Sequence, residues 1–212
     1  MRYIEVLCEG SSDVPAIREV MTRRFRLIEG EHFRIHWHQG KGKLPEKAHR
    51  LKKPDRANNS LLHQLPVKLK NMGRQTVSGF EVAVIVVVDA DNDNCVELKN
   101  ELLGLYNELP SKPPRCLFRI AVEETESWFI AEPAAVKKAY PATDTAMLSK
   151  IPKDDVCGAW ESLARAIGVE PTACGGGEKT EWAAAISPHL NLTRPQSPSL
   201  SALVHGIDKI LK

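Results

Sequence analysis

The longest apolar stretch of the chain, Ala83-Val84-Ile85-Val86-Val87-Val88, stops abruptly at Asp89-Ala90-Asp91-Asn92-Asp93. β-Branched residues without polar alternation predict a strand buried on both faces, the pattern of a parallel sheet. Shorter apolar runs predict further strands at Tyr3 to Cys8, Phe33 to His38 and Arg115 to Val122. Between them, helical spacing marks Val14 to Phe25, Leu61 to Met72 and Asn94 to Asn107. The last of these has an apolar face of Val96, Leu98, Leu102, Leu103, Leu105 and Leu109. Ser12 is the expected N-cap of the first helix, with Pro15 in its first turn. Alternating strands and helices predict an α/β domain over residues 1–131, a mainly parallel four-stranded sheet flanked by helices. A basic insertion at about 41–60, rich in Lys, Arg and Asn, is expected to be flexible. From 132 to 212 the pattern becomes helical, with helices at Pro133 to Ala139, Asp155 to Ile167, Lys179 to His189 and Ser199 to Leu211. Pro and Gly breaks such as Gly175-Gly176-Gly177 separate them, so this part reads as a helical C-terminal extension packed on the first domain.

Composition narrows the picture in three ways. With 212 residues there is material for one substantial core plus an extension. Lys and Arg total 29 against 27 Asp and Glu, so the formal charge of +2 sets no global field and any electrostatic argument is local. The cysteines, Cys8, Cys95, Cys116, Cys157 and Cys174, are odd in number and contain no CxxC, which opposes a disulfide scaffold and a zinc ribbon. The start, Met1-Arg2-Tyr3-Ile4-Glu5-Val6, is strand-like, and no apolar run reaches the roughly 20 residues of a membrane span. A cytoplasmic protein without membrane contact is the expectation.

The chemistry lies at the strand ends. In a parallel sheet the carboxyl ends share one edge, where ligands collect. Glu9 ends the first strand, Asp89 and Asp91 end the third, and Glu123, Glu124 and Glu126 follow the fourth. Several carboxylates together repel one another and call for a hard divalent cation, which suits Mg²⁺, with Mn²⁺ as a substitute. The plainer alternative is a polar turn that stops the strand and caps the next helix. That alternative explains Asp93, which stands before Asn94, but not the acids on the neighbouring edges. A calcium EF-hand is excluded, because counting from Asp89 places Asn94 and Asn100 where Gly and Glu are needed. A phosphatase of the haloacid dehalogenase type is disfavoured, because its Asp-x-Asp follows the first strand.

Glu9-Gly10 after the first strand and Asp89-Ala90-Asp91 after a hydrophobic one resemble the TOPRIM domain of topoisomerases, primases and OLD-type nucleases. With CEGSSD, HQGKGK, VVVDADND and AVEETESWFIAE, the chain looks more specifically like the TOPRIM-like family catalogued as domain of unknown function 4276. The resemblance covers roughly residues 1–190. It implies a TOPRIM, Rossmann-like fold and a metal-dependent nuclease with Glu9 in acid/base chemistry and Asp89 and Asp91 on metal. Asp13 stands where the OLD-type pattern has a second acid. Glu123 is a catalytic candidate and Glu124 a metal candidate. The resemblance also implies nucleic acid as substrate, DNA before RNA, an ATPase partner protein, and a role in DNA repair or defence against mobile DNA. A non-catalytic metal- or nucleotide-binding module is the rival. Sequence leaves monomer and homodimer equally open.

Several residues remain as contacts to phosphate or nucleic acid. His36 and His38 share a strand face, and His38 borders the loop Gln39-Gly40-Lys41-Gly42-Lys43, whose lysines can meet a phosphate. Packed histidines and a solvated turn are the alternatives. Arg50, Lys52, Lys53 and Arg56 can steer a nucleic-acid backbone, or form a solvated flap. Gly175 to Thr180 lacks P-loop spacing, and Lys179 is a candidate to approach the acids instead. Trp128 and Phe129 read as core anchors, with stacking on single-stranded substrate as the alternative for Trp128.

Overall fold

The computed structural model of the chain describes residues 2–55, 57–76, 79–91, 93–122, 124–153 and 158–212. Its strands are Arg2–Cys8 (β1), Phe33–Trp37 (β2), Glu81–Asp89 (β3) and Arg115–Ala121 (β4). They form one sheet in the order β2-β1-β3-β4, every pairing parallel. Cys8 pairs with Trp37, Leu7 with Val86 and Asp89 with Ala121, so the carboxyl ends do line one edge. From Val82 to Val88, β3 is buried at every position. Burying each Val there is worth about 1.5–3 kcal/mol, which outweighs the absence of any polar face.

Alternate residues of each strand feed two cores. One face carries Leu7, Val82, Val84, Val86, Val88 and Phe118 against the helices Leu61–Gln75 and Cys95–Glu108. The opposite face carries Ile4, Val6, Cys8, Ala83, Ile85, Val87 and Ala121 against the remaining helices. In chain order the helices are Asp13–Glu19 (α1), Leu61–Gln75 (α2), Cys95–Glu108 (α3), Glu126–Ile130 (α4), Pro133–Ala139 (α5), Thr145–Ser149 (α6), Ala159–Ala166 (α7), Gly176–Ile186 (α8) and Pro198–Leu211 (α9). Trp128, Trp182, Ile186, Leu203 and Ile207 share one cluster with β1 and β3, so the C-terminal helices and the sheet have a common core. Among the described residues no helix is long and apolar enough to cross a membrane.

Local details depart from the sequence pattern. The first helix is α only to Glu19 and continues as a π-helical segment, Val20–Arg24. Ser12 does not cap it: its backbone is already helical, and Asp13 Oδ2 closes the entry by accepting from Gly10 N–H at 2.9 Å. Asp93 is not the cap of α3. Asn94 is, its Oδ1 accepting from Val96 and Glu97 N–H at 2.9 and 3.2 Å. The glycine run does not break the chain before α8. Gly176 and Gly177 form its first turn, entered where Glu178 Oε2 accepts from Gly175 N–H at 2.8 Å. Residues 154–157, the expected start of α7, lie outside the described residues.

Segment 41–60 is mostly irregular, with a 3₁₀ turn at Lys47–His49. It is tied at both ends and in the middle. Gln39 N–H donates to Asn59 O (3.0 Å), Leu62 N–H donates to Lys41 O (2.8 Å), and Lys47 and Arg50 pair with Glu108 (2.6 and 3.1 Å). At the far edge of the sheet, α9 lies against β4, where Arg119 Nε donates to Ala202 O at 2.9 Å.

Candidate active site

Glu9 is the first residue beyond β1. Its Oε2 accepts from Asp89 N–H at 3.4 Å across the strand ends, so the two acids are neighbours. Asp89 continues the alternation of Ala83, Ile85 and Val87 and so belongs to the face shared with α1 and α4. Its Oδ1 is sealed from solvent and has no hydrogen-bond partner among the described residues. A buried carboxylate oxygen without a partner is costly and uncommon. Burial, then repulsion from Asp13, Glu9, Glu126 and Glu124, holds the Asp89 carboxyl well above the usual aspartate range.

The surrounding acids divide by how well they are already satisfied. Asp13 is buried and complete: Oδ2 accepts from Gly10 N–H (2.9 Å) and Oδ1 from Thr125 Oγ1 (2.8 Å). Glu124 accepts from Trp160 N–H (3.2 Å) and pairs with Lys179 at 3.3 Å. Glu126 is 3% exposed, and burial pushes its carboxyl up to about 7, with Lys179 opposing the shift. Glu9 also rises to about 7, first through burial and then through Asp91 and Asp13. Glu123 lies outside the described residues.

Asp91 is separated from Asp89 by the backbone. It sits at φ 49°, in the left-handed region that Asp tolerates better than most residues. This turn sends its carboxylate to Lys41 Nζ at 2.6 Å, and Asp93 reaches the same ammonium at 2.8 Å. Lys41 also donates to the carbonyls of Asp89 (3.3 Å) and Ala90 (2.9 Å). The lysine expected to meet a phosphate is thus seated in the acidic loop itself. Beside it a cleft of about 720 Å³ is lined by Lys41, Lys43, Asp91, Asp93, Asn94 and Glu97 among others; Lys43 is exposed there.

His38, a candidate phosphate contact, is closed off from solvent. It is 1% exposed, and burial lowers its pKa to about 4, so the ring is neutral. Its Nδ1 then donates to Cys8 O (2.8 Å) and its Nε2 accepts from Lys68 Nζ (2.7 Å), which bolts the end of β1 to β2 and α2. His36 pairs with Glu5 at 2.5 Å. Lys179, from α8, does reach the acids, lying against Glu124 and 4.7 Å above the Trp160 ring. Trp128 is a core anchor, 1% exposed with its indole N–H on Ser199 Oγ at 2.8 Å.

Glu126 belongs with the site more closely than the sequence order Glu123, Glu124, Glu126 implies. The sequence signal was its place in the acidic run; its burial follows from α4 turning inward immediately after β4.

Among the described residues no three His, Cys, Asp or Glu side chains form a ready-made cage for an ion. A small hard cation does not require one, since Mg²⁺ commonly takes one or two carboxylates and completes its shell with water and phosphate. The unpartnered Asp89 Oδ1 beside Glu9 fits that donor set.

The C-terminal region of the OLD protein of Xanthomonas campestris pv. campestris superposes on this chain with a TM-score of 0.52 and 10% identity. The match spans 98% of this chain and 95% of that one. The chain has a TOPRIM-like α/β fold shared with that region. A second structure of the same region gives a TM-score of 0.50 at 10% identity, again over 98% and 95%. The C-terminal region of the Burkholderia pseudomallei OLD protein aligns at a TM-score of 0.48 and 12% identity, over 99% and 98%. No family model and no curated protein matches the chain. The OLD-like fold accounts for the convergence of the acids, and the chemistry rests on the residues themselves.

Proposed function

We propose that this protein is a TOPRIM-type enzyme that cleaves phosphodiester bonds, a nuclease using Mg²⁺ or Mn²⁺ at the edge formed by Glu9 and Asp89. The observation that carries the reading is the buried, unpartnered Asp89 Oδ1 next to a second acid. A divalent cation there would neutralise both carboxylates, polarise a phosphate oxygen and lower the pKa of an attacking water. Asp89 would hold it through Oδ1, with Glu9 as co-ligand or base and Asp91 entering once released from Lys41. Burial and the neighbouring Asp91 and Asp13 raise the Glu9 carboxyl to about 7 in the metal-free fold; a cation held beside it would lower that value, leaving a carboxylate able to accept a proton from water. Asp13 orders the β1–α1 loop, and Lys179 holds Glu124 in place. Lys43 offers a charge to substrate phosphate in the cleft.

Nucleic acid, DNA before RNA, is the proposed substrate, by analogy with OLD-type nucleases. An ATPase partner and a role in DNA repair or defence against mobile DNA belong to the same analogy. The motif-level likeness to domain of unknown function 4276 belongs to the same proposal. A second reading is favoured by Lys41, whose ammonium already balances Asp91 and Asp93: a module that binds metal, nucleotide or a partner without cleaving.

Incubating the purified protein with single- and double-stranded DNA and RNA, with Mg²⁺, Mn²⁺ or EDTA, separates the two. Metal-dependent cutting that disappears in Asp89→Asn and Glu9→Gln supports the enzyme. Retained Mn²⁺ binding with no cutting of any substrate supports the module.

A further inference from the structure

Among the described residues the exposed aromatic is at the same sheet edge as the acids. Trp37 is 53% exposed, whereas Trp128 and Trp182 are buried and Trp160 lies half-buried under Lys179. An indole half in water leaves a large flat apolar face open to another molecule. Trp37 ends β2, the edge strand, and pairs in register with Cys8, the residue before Glu9. It continues the alternation of Phe33 and Ile35, the face to which Asp89 also belongs. β2 and β3 are two strand spacings apart, roughly 10 Å, so the ring and the acidic edge lie within reach of one substrate.

The ring is free but its mount is fixed. Among the described residues the Trp37 side chain makes no hydrogen bond, ring contact or cation contact. The backbone just beyond it is pinned by the doubly bonded His38, by Gln39 N–H on Asn59 O (3.0 Å) and by Gly40 N–H on Glu9 O (3.1 Å). A large flat apolar face on a rigid backbone, followed by exposed Lys43, suits a base attached to phosphates. An unpaired base offers its face to such a ring, whereas a duplex keeps its faces stacked inside.

We infer that Trp37 is a stacking platform for an unpaired nucleobase, so that the site takes single-stranded or frayed nucleic acid. This rests on the phosphodiester reading above and specifies its substrate. Stacking of this kind is worth about five- to 150-fold in affinity per base.

The test is binding of oligothymidylate, as a single strand and as a duplex with oligoadenylate, in EDTA so that cleavage is silent. Trp37 emission is the difference between wild type and Trp37→Phe. The single strand should quench it more than the duplex does, Trp37→Ala should weaken single-strand binding at least fivefold, and Trp37→Phe should retain most of the affinity. Equal single-strand affinity of Trp37→Ala and wild type overturns the inference, as does absence of single-strand binding. So does a change of Trp37→Ala from dimer to monomer with binding intact, which would make the ring an interface between copies. A parallel assay with Mg²⁺ keeps the two readings apart. Trp37-dependent binding without cutting upholds stacking and removes the nuclease; cutting indifferent to Trp37 does the reverse.

Discussion

Replacing Glu9 by Gln should stabilise the metal-free protein, because the folded state holds this carboxylate at a disadvantage. Its pKa is about 7 in the fold against 4.5 for the ordinary group, raised by burial, then by Asp91 and Asp13, and lowered less by Asp89 N–H and Lys41. The folded state therefore binds more protons between these values, and stability falls as pH rises from about 4.5 to 7, then levels off. Each pKa unit is worth 1.36 kcal/mol, so the charge costs about 3 kcal/mol above pH 7 and under about 1 kcal/mol at pH 5. Mutual relief among the neighbouring acids lowers the high-pH figure toward about 2 kcal/mol. Urea unfolding in EDTA at pH 5 and pH 8 should thus show Glu9→Gln more stable than wild type by about 2–3 kcal/mol at pH 8, with little difference at pH 5. If the variant is less stable than wild type at pH 8, the carboxylate is a stabilising acceptor and the argument for a strained acidic edge is wrong.

Adding Mg²⁺ to wild type should reverse that cost, stabilising by about 2.7 kcal/mol at a hundredfold excess over Kd, while Asp89→Asn gains nothing; thermal unfolding with and without EDTA reads this. Lys41→Met should raise Mn²⁺ affinity about fivefold, the equivalent of about 1 kcal/mol for a partly exposed pair, because it frees Asp91 (2.6 Å) and Asp93 (2.8 Å); weaker binding by calorimetry would show that Lys41 supports the site instead. Gly73→Ala should destabilise by about 1–3 kcal/mol although alanine favours helices by about 1 kcal/mol. A Cβ there would stand 2.5–2.6 Å from the backbone of Lys112, and chemical unfolding measures the balance.

The strands, their parallel direction and the shared acidic edge were legible because burial on both faces leaves one pattern, seen in Val82–Val88, and one edge for the residues that follow it; the order β2-β1-β3-β4 was not. The helix starts were less legible, since they turn on competition among adjacent polar groups. Asn94 captures the N–H groups of Val96 and Glu97, while Asp93 is drawn to Lys41. Ser12 yields to Asp13 because Asp13 can bond Gly10 and Thr125 together.

By itself the sequence determined the α/β architecture and the set of acids from which a site is made, since apolar periodicity and residue type are local properties. Only the tertiary structure decided how those acids differ. It buried Asp89 Oδ1 without a partner, completed Asp13, turned Asp91 toward Lys41, closed His38 inside the fold and left Trp37 outside it. Each outcome depends on which distant groups, 30 to 112 residues away in the bonds of His38 and Asp13, arrive within hydrogen-bond range or shut out water. Spacing along one chain carries no record of that.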